Sequence, residues 1–304
     1  MNILIVGAGA IGGYFGGRLL EKGENVTFLV RAKRKEMLEK SGLKIESVNG
    51  NAKLAPRMIT SKDIGDKFDL ILISTKSYHL TQAINDIRPF VKEDTIILPL
   101  LNGVGHLEQL IKAFGEDAVI GGLCFIETTL DEHGTILQKS PIHQLIYGER
   151  SGEITPRMEK LKAAFEGANA SCVLSEQINQ EMWHKYLFIT ALSGITSLME
   201  SPIGPIMELE TGRNTVASLL EELGAIMKKI NAPIHDTITQ ELYTKISDMP
   251  YLMKSSMQRD IEKSLPLESD HLHGLLLQHA NTHDVPTPIL ETIYTKLKIY
   301  EKEK

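Results

Sequence analysis

The chain has 304 residues, 42% of them hydrophobic and 24% charged, with a formal net charge of −6. That length points to two domains, and the mildly acidic balance excludes a general nucleic-acid-binding surface. Its two cysteines, Cys124 and Cys172, lack paired spacing, which excludes a disulfide framework and a cysteine zinc site.

The first elements are the clearest. Ile3-Leu4-Ile5-Val6 has the length and branched content of a buried parallel strand. Gly7-Ala8-Gly9-Ala10-Ile11-Gly12 follows at once, then a helical stretch from Tyr14 to Lys22 and a second strand, Asn25–Val30. This is a complete β-α-β unit whose glycine turn leaves room for a pyrophosphate at a helix N-terminus. Gly7, Ala8, Gly9, Ala10, Ile11 and Gly12 are therefore candidate dinucleotide contacts.

A carboxylate at the end of the second strand normally binds the ribose hydroxyl of NAD. Here the chain reads Val30-Arg31-Ala32-Lys33-Arg34, with cations in that place. Arg31 suits a 2′-phosphate through its planar fork, which favours NADP(H). The plain alternative is a basic start to the next helix.

Further strands are expected at Leu70–Ser74, Thr95–Leu100 and Ala118–Gly121, with helices at Tyr78–Pro89 and Gly105–Phe114 between them. This alternation predicts an α/β fold with a Rossmann-type, doubly wound parallel sheet. Ligands bind such sheets beyond the carboxyl ends of the strands. That rule selects Ser74-Thr75-Lys76 and Leu101-Asn102-Gly103-Val104-Gly105, and makes Lys76 and Asn102 candidate cofactor contacts.

Segments from Thr128 to Tyr147, with a turn at Asp131-Glu132-His133-Gly134, predict a β-rich extension on that sheet. A helix over Thr155–Gly167 and a last strand at Ser171–Leu174 follow. Strand signals then cease. Helical patterns cover 178–199, 211–230, 234–246, 267–283 and 288–300, so the C-terminal domain is expected to be all-helical. The expected domains are residues 1–176, binding NADP, and 177–304, carrying substrate and catalysis.

No stretch reaches the ~20 apolar residues that span a bilayer, and the first apolar run ends in the glycine turn without a basic leader. The expectation is a cytoplasmic chain without a membrane role. The apolar helices of the second domain leave a homodimer open.

Hydride transfer to a carbonyl needs a group that polarises the oxygen and protonates the alkoxide. Lys185, in Trp183-His184-Lys185 at the start of a long helix, suits that role and shares a face with Ile189 and Ser193. His279 and His283 have metal-ligand spacing, but no carboxylate motif completes a site, so no metal is expected.

Taken in order, these motifs resemble the ketopantoate reductase (2-dehydropantoate 2-reductase) family over essentially the whole chain. The resemblance is carried by the glycine turn, Arg31, Ser74-Thr75-Lys76, Leu101–Gly105 and Trp183-His184-Lys185. It continues through Ser255-Ser256-Met257-Gln258-Arg259-Asp260 and Glu268. It implies a Rossmann domain and a helical domain flanking a cleft, and NADPH-dependent reduction of 2-dehydropantoate to (R)-pantoate on the route to pantothenate and coenzyme A. It implies Lys185 as general acid, and Glu268 engaging the substrate hydroxyl and ordering the site. Asn102 would lie near nicotinamide and substrate, Ser256 on the substrate carboxylate, and Arg31 and Lys76 near the 2′-phosphate.

The family's best-known members carry asparagines where this chain has Ile189, Ser193 and Ile203. Ser193 is the candidate substrate contact at its place. Apolar side chains do not reproduce an amide's readout. A reductase of another small 2-oxo acid is thus the alternative, and a cofactor-binding regulator with little turnover is a further one.

Overall fold

The computed structural model describes residues 1–63 and 65–304. The first elements, in chain order, are β1 (Asn2–Val6), α1 (Ala10–Lys22), β2 (Asn25–Leu29), α2 (Ala32–Ser41), β3 (Leu43–Ser47), β4 (Ala52–Leu54) and β5 (Arg57–Ile59). They continue with β6 (Leu70–Ile73), α3 (Leu80–Ile87), β7 (Ile96–Pro99), α4 (Gly105–Phe114), β8 (Gly121–Leu130), β9 (Ile136–Gly148), α5 (Pro156–Phe165) and β10 (Ser171–Leu174).

One five-stranded sheet has the order β5-β2-β1-β6-β7, parallel throughout. β1 lies at its centre, and its side chains separate by the period of two. Ile3 and Ile5 enter one apolar cluster, and Leu4 and Val6 enter another on the opposite face. A strand buried on both faces reads as an unbroken apolar run, as β1, β6 and β7 do. The order reverses at β1, so the β1–α1 turn sits at the switch point where such sheets bind ligands.

The hairpin expected as an extension of this sheet instead builds a second one. β9 pairs with β8 antiparallel and with β3 and β10 in parallel, and β3 pairs with β4. The reason is that β3, itself paired with β4, offers β9 an edge of its own. The expected strand at Ala118–Gly121 is a single bridge, Ile97 to Val119, after which the chain leaves the sheet and Gly121 opens β8.

Residues 1–101 and 106–179 form one compact unit; residues 102–105 and 180–304 form the other. Segment 102–105, which no single boundary in the sequence separates, thus belongs with the helices. Those helices are α6 (Ile178–Leu198), α7 (Ile203–Glu208), α8 (Glu210–Lys229), α9 (Ile238–Ser247), α10 (Ser256–Glu262), α11 (Leu275–Thr282) and α12 (Pro288–Lys302). α8 packs against α7, α9, α11 and α12. α6 is buried nearly all round, with 185–188 and 190–197 inside, which explains its lack of an amphipathic stripe.

Two expected helices differ. The one at 234–246 begins at Ile238, after a turn. The one at 267–283 opens with a π-helical turn, Asp270–Gly274, before α11. Among the described residues, no helix is long and apolar enough to cross a membrane.

Candidate functional site

The nucleotide end of the site is built by the β1–α1 turn. Gly7 has φ +91°, in the left-handed region, and its N–H donates to the Leu29 carbonyl at 2.9 Å. This ties the turn to the end of β2. Gly9 caps α1 without a side-chain hydrogen bond, and no acidic residue occupies the first turn of the helix. The N-terminal amides are thus left for an anion.

A Cβ at Gly9 would meet nothing within 4 Å, so the space beside it is open for a phosphate. A Cβ at Gly12 would overlap Ser74 Oγ and the Gly7 carbonyl oxygen. One glycine leaves room for a ligand and the other lets the helix close on the strands. Ala8 is buried, whereas Ala10 and Ile11 are half-buried in the opening of α1. These residues fit a dinucleotide pyrophosphate.

Arg31 is exposed at the N-cap of α2, with extended backbone. Lys76 is half-buried and caps the short 3-10 turn Ser77–His79. Burial pulls the His79 imidazole below its usual pKa, and the Arg31 charge lowers it further. Arg31 and Lys76 follow the C-terminal ends of β2 and β6, both parallel to β1, and so lie at the same end of the sheet. No carboxylate stands at the end of β2.

In the sequence Arg34 belongs to the basic cluster after β2. Its Nε donates to the Ala8 carbonyl at 3.1 Å and its Nη2 to the Gly134 carbonyl at 3.0 Å. It braces the glycine turn against the β8–β9 hairpin. Nothing local in the sequence marks a contact across that separation.

The other candidate residues belong to the helical unit. Lys185 is buried on α6 with 9% exposure. Its neighbour Tyr186 is fully buried, and the Tyr186 hydroxyl donates to the Leu272 carbonyl at 2.6 Å. Leu272 lies in the π-helical turn, and its N–H donates to the Glu268 carbonyl at 3.0 Å. Glu268 is itself buried and precedes the helix instead of lying in its first turn.

The same turn carries His271, whose Nε2 lies 2.8 Å from the Asn102 carbonyl oxygen. Burial lowers the pKa of His271, against the opposing pull of Glu268 and of that hydrogen bond. Because a carbonyl oxygen only accepts, the ring donates from Nε2. One stretch of five residues thus links the α6 region of Lys185, Glu268 and the Asn102 segment.

Ser255 and Ser256 divide their roles. Ser255 is the N-cap of α10; its Oγ accepts the Gln258 N–H at 3.1 Å and lies 2.8 Å from Thr196 Oγ1 of α6. Ser256 is the first helical residue and is exposed. Ser193 is buried, and its hydroxyl donates to the Thr190 carbonyl at 3.4 Å in its own helix. Ile189 is half-buried and Ile203 is a core residue. Among the described residues, no group of three or more His, Cys, Asp or Glu side chains is placed to hold a metal.

Residues 3–152 match the ketopantoate reductase PanE/ApbA family, and residues 177–301 match its C-terminal region. The chain belongs to the ketopantoate reductase family. It is 45% identical, over the full length of both chains, to the uncharacterized oxidoreductase YkpB of Bacillus subtilis. The structure is similar to the 2-dehydropantoate 2-reductase of Geobacter metallireducens, with a TM-score of 0.86 and 29% identity over 98% of this chain and 99% of that one.

It is also similar to a D-mandelate dehydrogenase solved with NADH and anilino(oxo)acetate, with a TM-score of 0.87. There the identity is 20%, over 100% of this chain and 99% of that one, and the likeness shows the fold alone. The protein is an oxidoreductase of the ketopantoate reductase family, with its Rossmann-type NAD(P)-binding fold.

Proposed function

We propose that this family member reduces a small 2-oxo acid with NADPH, with 2-dehydropantoate to (R)-pantoate as the leading reaction. One observation carries the reading. The buried Lys185 stands beside Tyr186, whose hydroxyl is tied to the turn that follows Glu268, and that turn also holds Asn102. A general acid, a hydroxyl-binding carboxylate and a carboxamide are the groups that this reduction asks of a protein.

The reduced nicotinamide, when bound, supplies the hydride. The residues do the rest. The glycine turn and the first amides of α1 take the pyrophosphate. Arg31 and Lys76 take the 2′-phosphate by charge-assisted hydrogen bonds. The Lys185 ammonium polarises the keto oxygen and gives it a proton as the alkoxide forms. Glu268 accepts a hydrogen bond from a substrate hydroxyl, Ser256 donates to the carboxylate, and the Asn102 amide orients the reacting carbonyl. Burial of Lys185 and Glu268 strengthens these interactions by excluding water.

A second reading, reduction of a different 2-oxo acid, has its own support. Ile189 offers no hydrogen bond, and the Ser193 hydroxyl is engaged within its own helix. Loss of NADPH absorbance on a panel of 2-oxo acids separates the two. Turnover with 2-dehydropantoate, abolished by Lys185→Ala, supports the first; turnover confined to other acids supports the second. Binding of NADPH without turnover on any of them contradicts both and favours a regulator.

A further inference from the structure

The π-helical turn places His271 where it has work beyond packing. Its Nε2 donates to the Asn102 carbonyl at 2.8 Å across 169 residues of sequence. The ring also fills the space beside the following residue. A Cβ on Gly103 would lie 3.2 Å from both Cδ2 and Nε2 of the ring, and one on Gly105 3.5 Å from its Cε1. Gly103 has φ +77°, a left-handed conformation that a side chain strains. The ring thus packs against the turn at Gly103 together with Leu272, while Leu275 lies closest to Gly105. Any residue larger than glycine at 103 would meet the imidazole, and any smaller residue at 271 would leave the turn without its partner.

We infer that His271 is a positioning residue for the reduction, clamping the Asn102–Gly103 turn so that the Asn102 carboxamide is held at the nicotinamide end of the site. The inference rests on the proposed reductase reading, which gives Asn102 its place.

The chemistry of the clamp is specific. It requires an N–H donor at the Nε2 position, facing the Asn102 carbonyl oxygen. A cation would have to be buried beside the turn, and burial opposes that. The Glu268 carboxylate, three residues earlier in the same segment, and the Asn102 carbonyl from the loop both act on His271. The backbone of the same turn receives the Tyr186 hydroxyl from α6 at Leu272. The π-helical register thus lets consecutive residues serve different neighbours, Asn102 through the His271 ring and α6 through the Leu272 carbonyl. Single-turn π-helical insertions recur at functional sites.

The test compares His271→Leu with His271→Gln. Glutamine can place an N–H donor near the Nε2 position, whereas leucine fills volume without one. Two readouts are taken: steady-state reduction of the 2-oxo acid, and hydrogen exchange of the amides at 103–105 in the full chain. We expect His271→Leu to lower kcat on the order of 100-fold with little change in the KM for NADPH, because a small misplacement of an orienting group falls on the chemical step. Exchange at 103–105 rises with it, and His271→Gln restores both.

Equal kcat in wild type and His271→Leu would overturn the inference. So would unchanged exchange at 103–105. Should the wild type reduce no 2-oxo acid at all, the reductase reading fails, and the exchange readout still decides whether His271 clamps the turn.

Discussion

At the residue scale, the NADP assignment turns on Arg31. It stands where an NAD enzyme places a carboxylate, and its exposed guanidinium is available to a 2′-phosphate. A charge-assisted hydrogen bond is worth about 1.5–3 kcal/mol. Arg31→Ala should therefore weaken NADPH about 10- to 100-fold in a fluorescence titration and leave NADH almost unchanged. Equal losses for both would remove Arg31 from the phosphate. Lys185 is the other residue on which the reading depends. Lys185→Ala should lower kcat by about 100- to 10,000-fold, the usual share of a general acid, with NADPH affinity retained.

At the element scale, the glycine turn and α1 make a paired prediction. A Cβ at Gly9 enters open space, so Gly9→Ala should melt close to the wild-type temperature yet bind NADPH poorly, because the methyl occupies the phosphate's place. A Cβ at Gly12 overlaps Ser74 and the Gly7 backbone, so Gly12→Ala should also lose about 1–3 kcal/mol of stability. Thermal melts with and without NADPH check both. Two variants that melt and bind alike would contradict the division of labour.

The elements also show what could be read in advance. β1, β6 and β7 were legible because strands buried on both faces are unbroken apolar runs. β3, β4 and β5 are short and half-exposed, and the alternation Leu43-Lys44-Ile45-Glu46 in β3 covers only a few residues next to a charged helix, so their strand signal is weak. Lys185 and Glu268 are singled out by the family pattern. The contacts of Arg34 and His271 are not legible there, since each reaches a backbone carbonyl far away in the chain, and no local pattern encodes that.

At the scale of the whole molecule, stability and turnover give separate checks. His273 is fully buried, donates from Nε2 to the Thr190 carbonyl at 3.1 Å, and is pushed down to about 4 by that burial. His184 is likewise pushed down to about 4, first by burial and then by His235. Both pKa values lie below those of the unfolded chain, so between about pH 6.5 and 4 the unfolded state binds more protons. The contribution of these neutral rings is complete above about pH 6.5 and is lost as pH falls toward 4. Melting temperature should drop across that window, and His273→Gln should flatten the slope; an unchanged slope would contradict the assignment. The central claim concerns turnover, and one measurement addresses it most directly: NADPH oxidation by the intact chain on 2-dehydropantoate and a panel of other small 2-oxo acids, beside Lys185→Ala. Turnover of at least one of these acids, abolished in Lys185→Ala while NADPH still binds, is the predicted result. Undiminished turnover in Lys185→Ala, or none in the wild type on any 2-oxo acid, would contradict it.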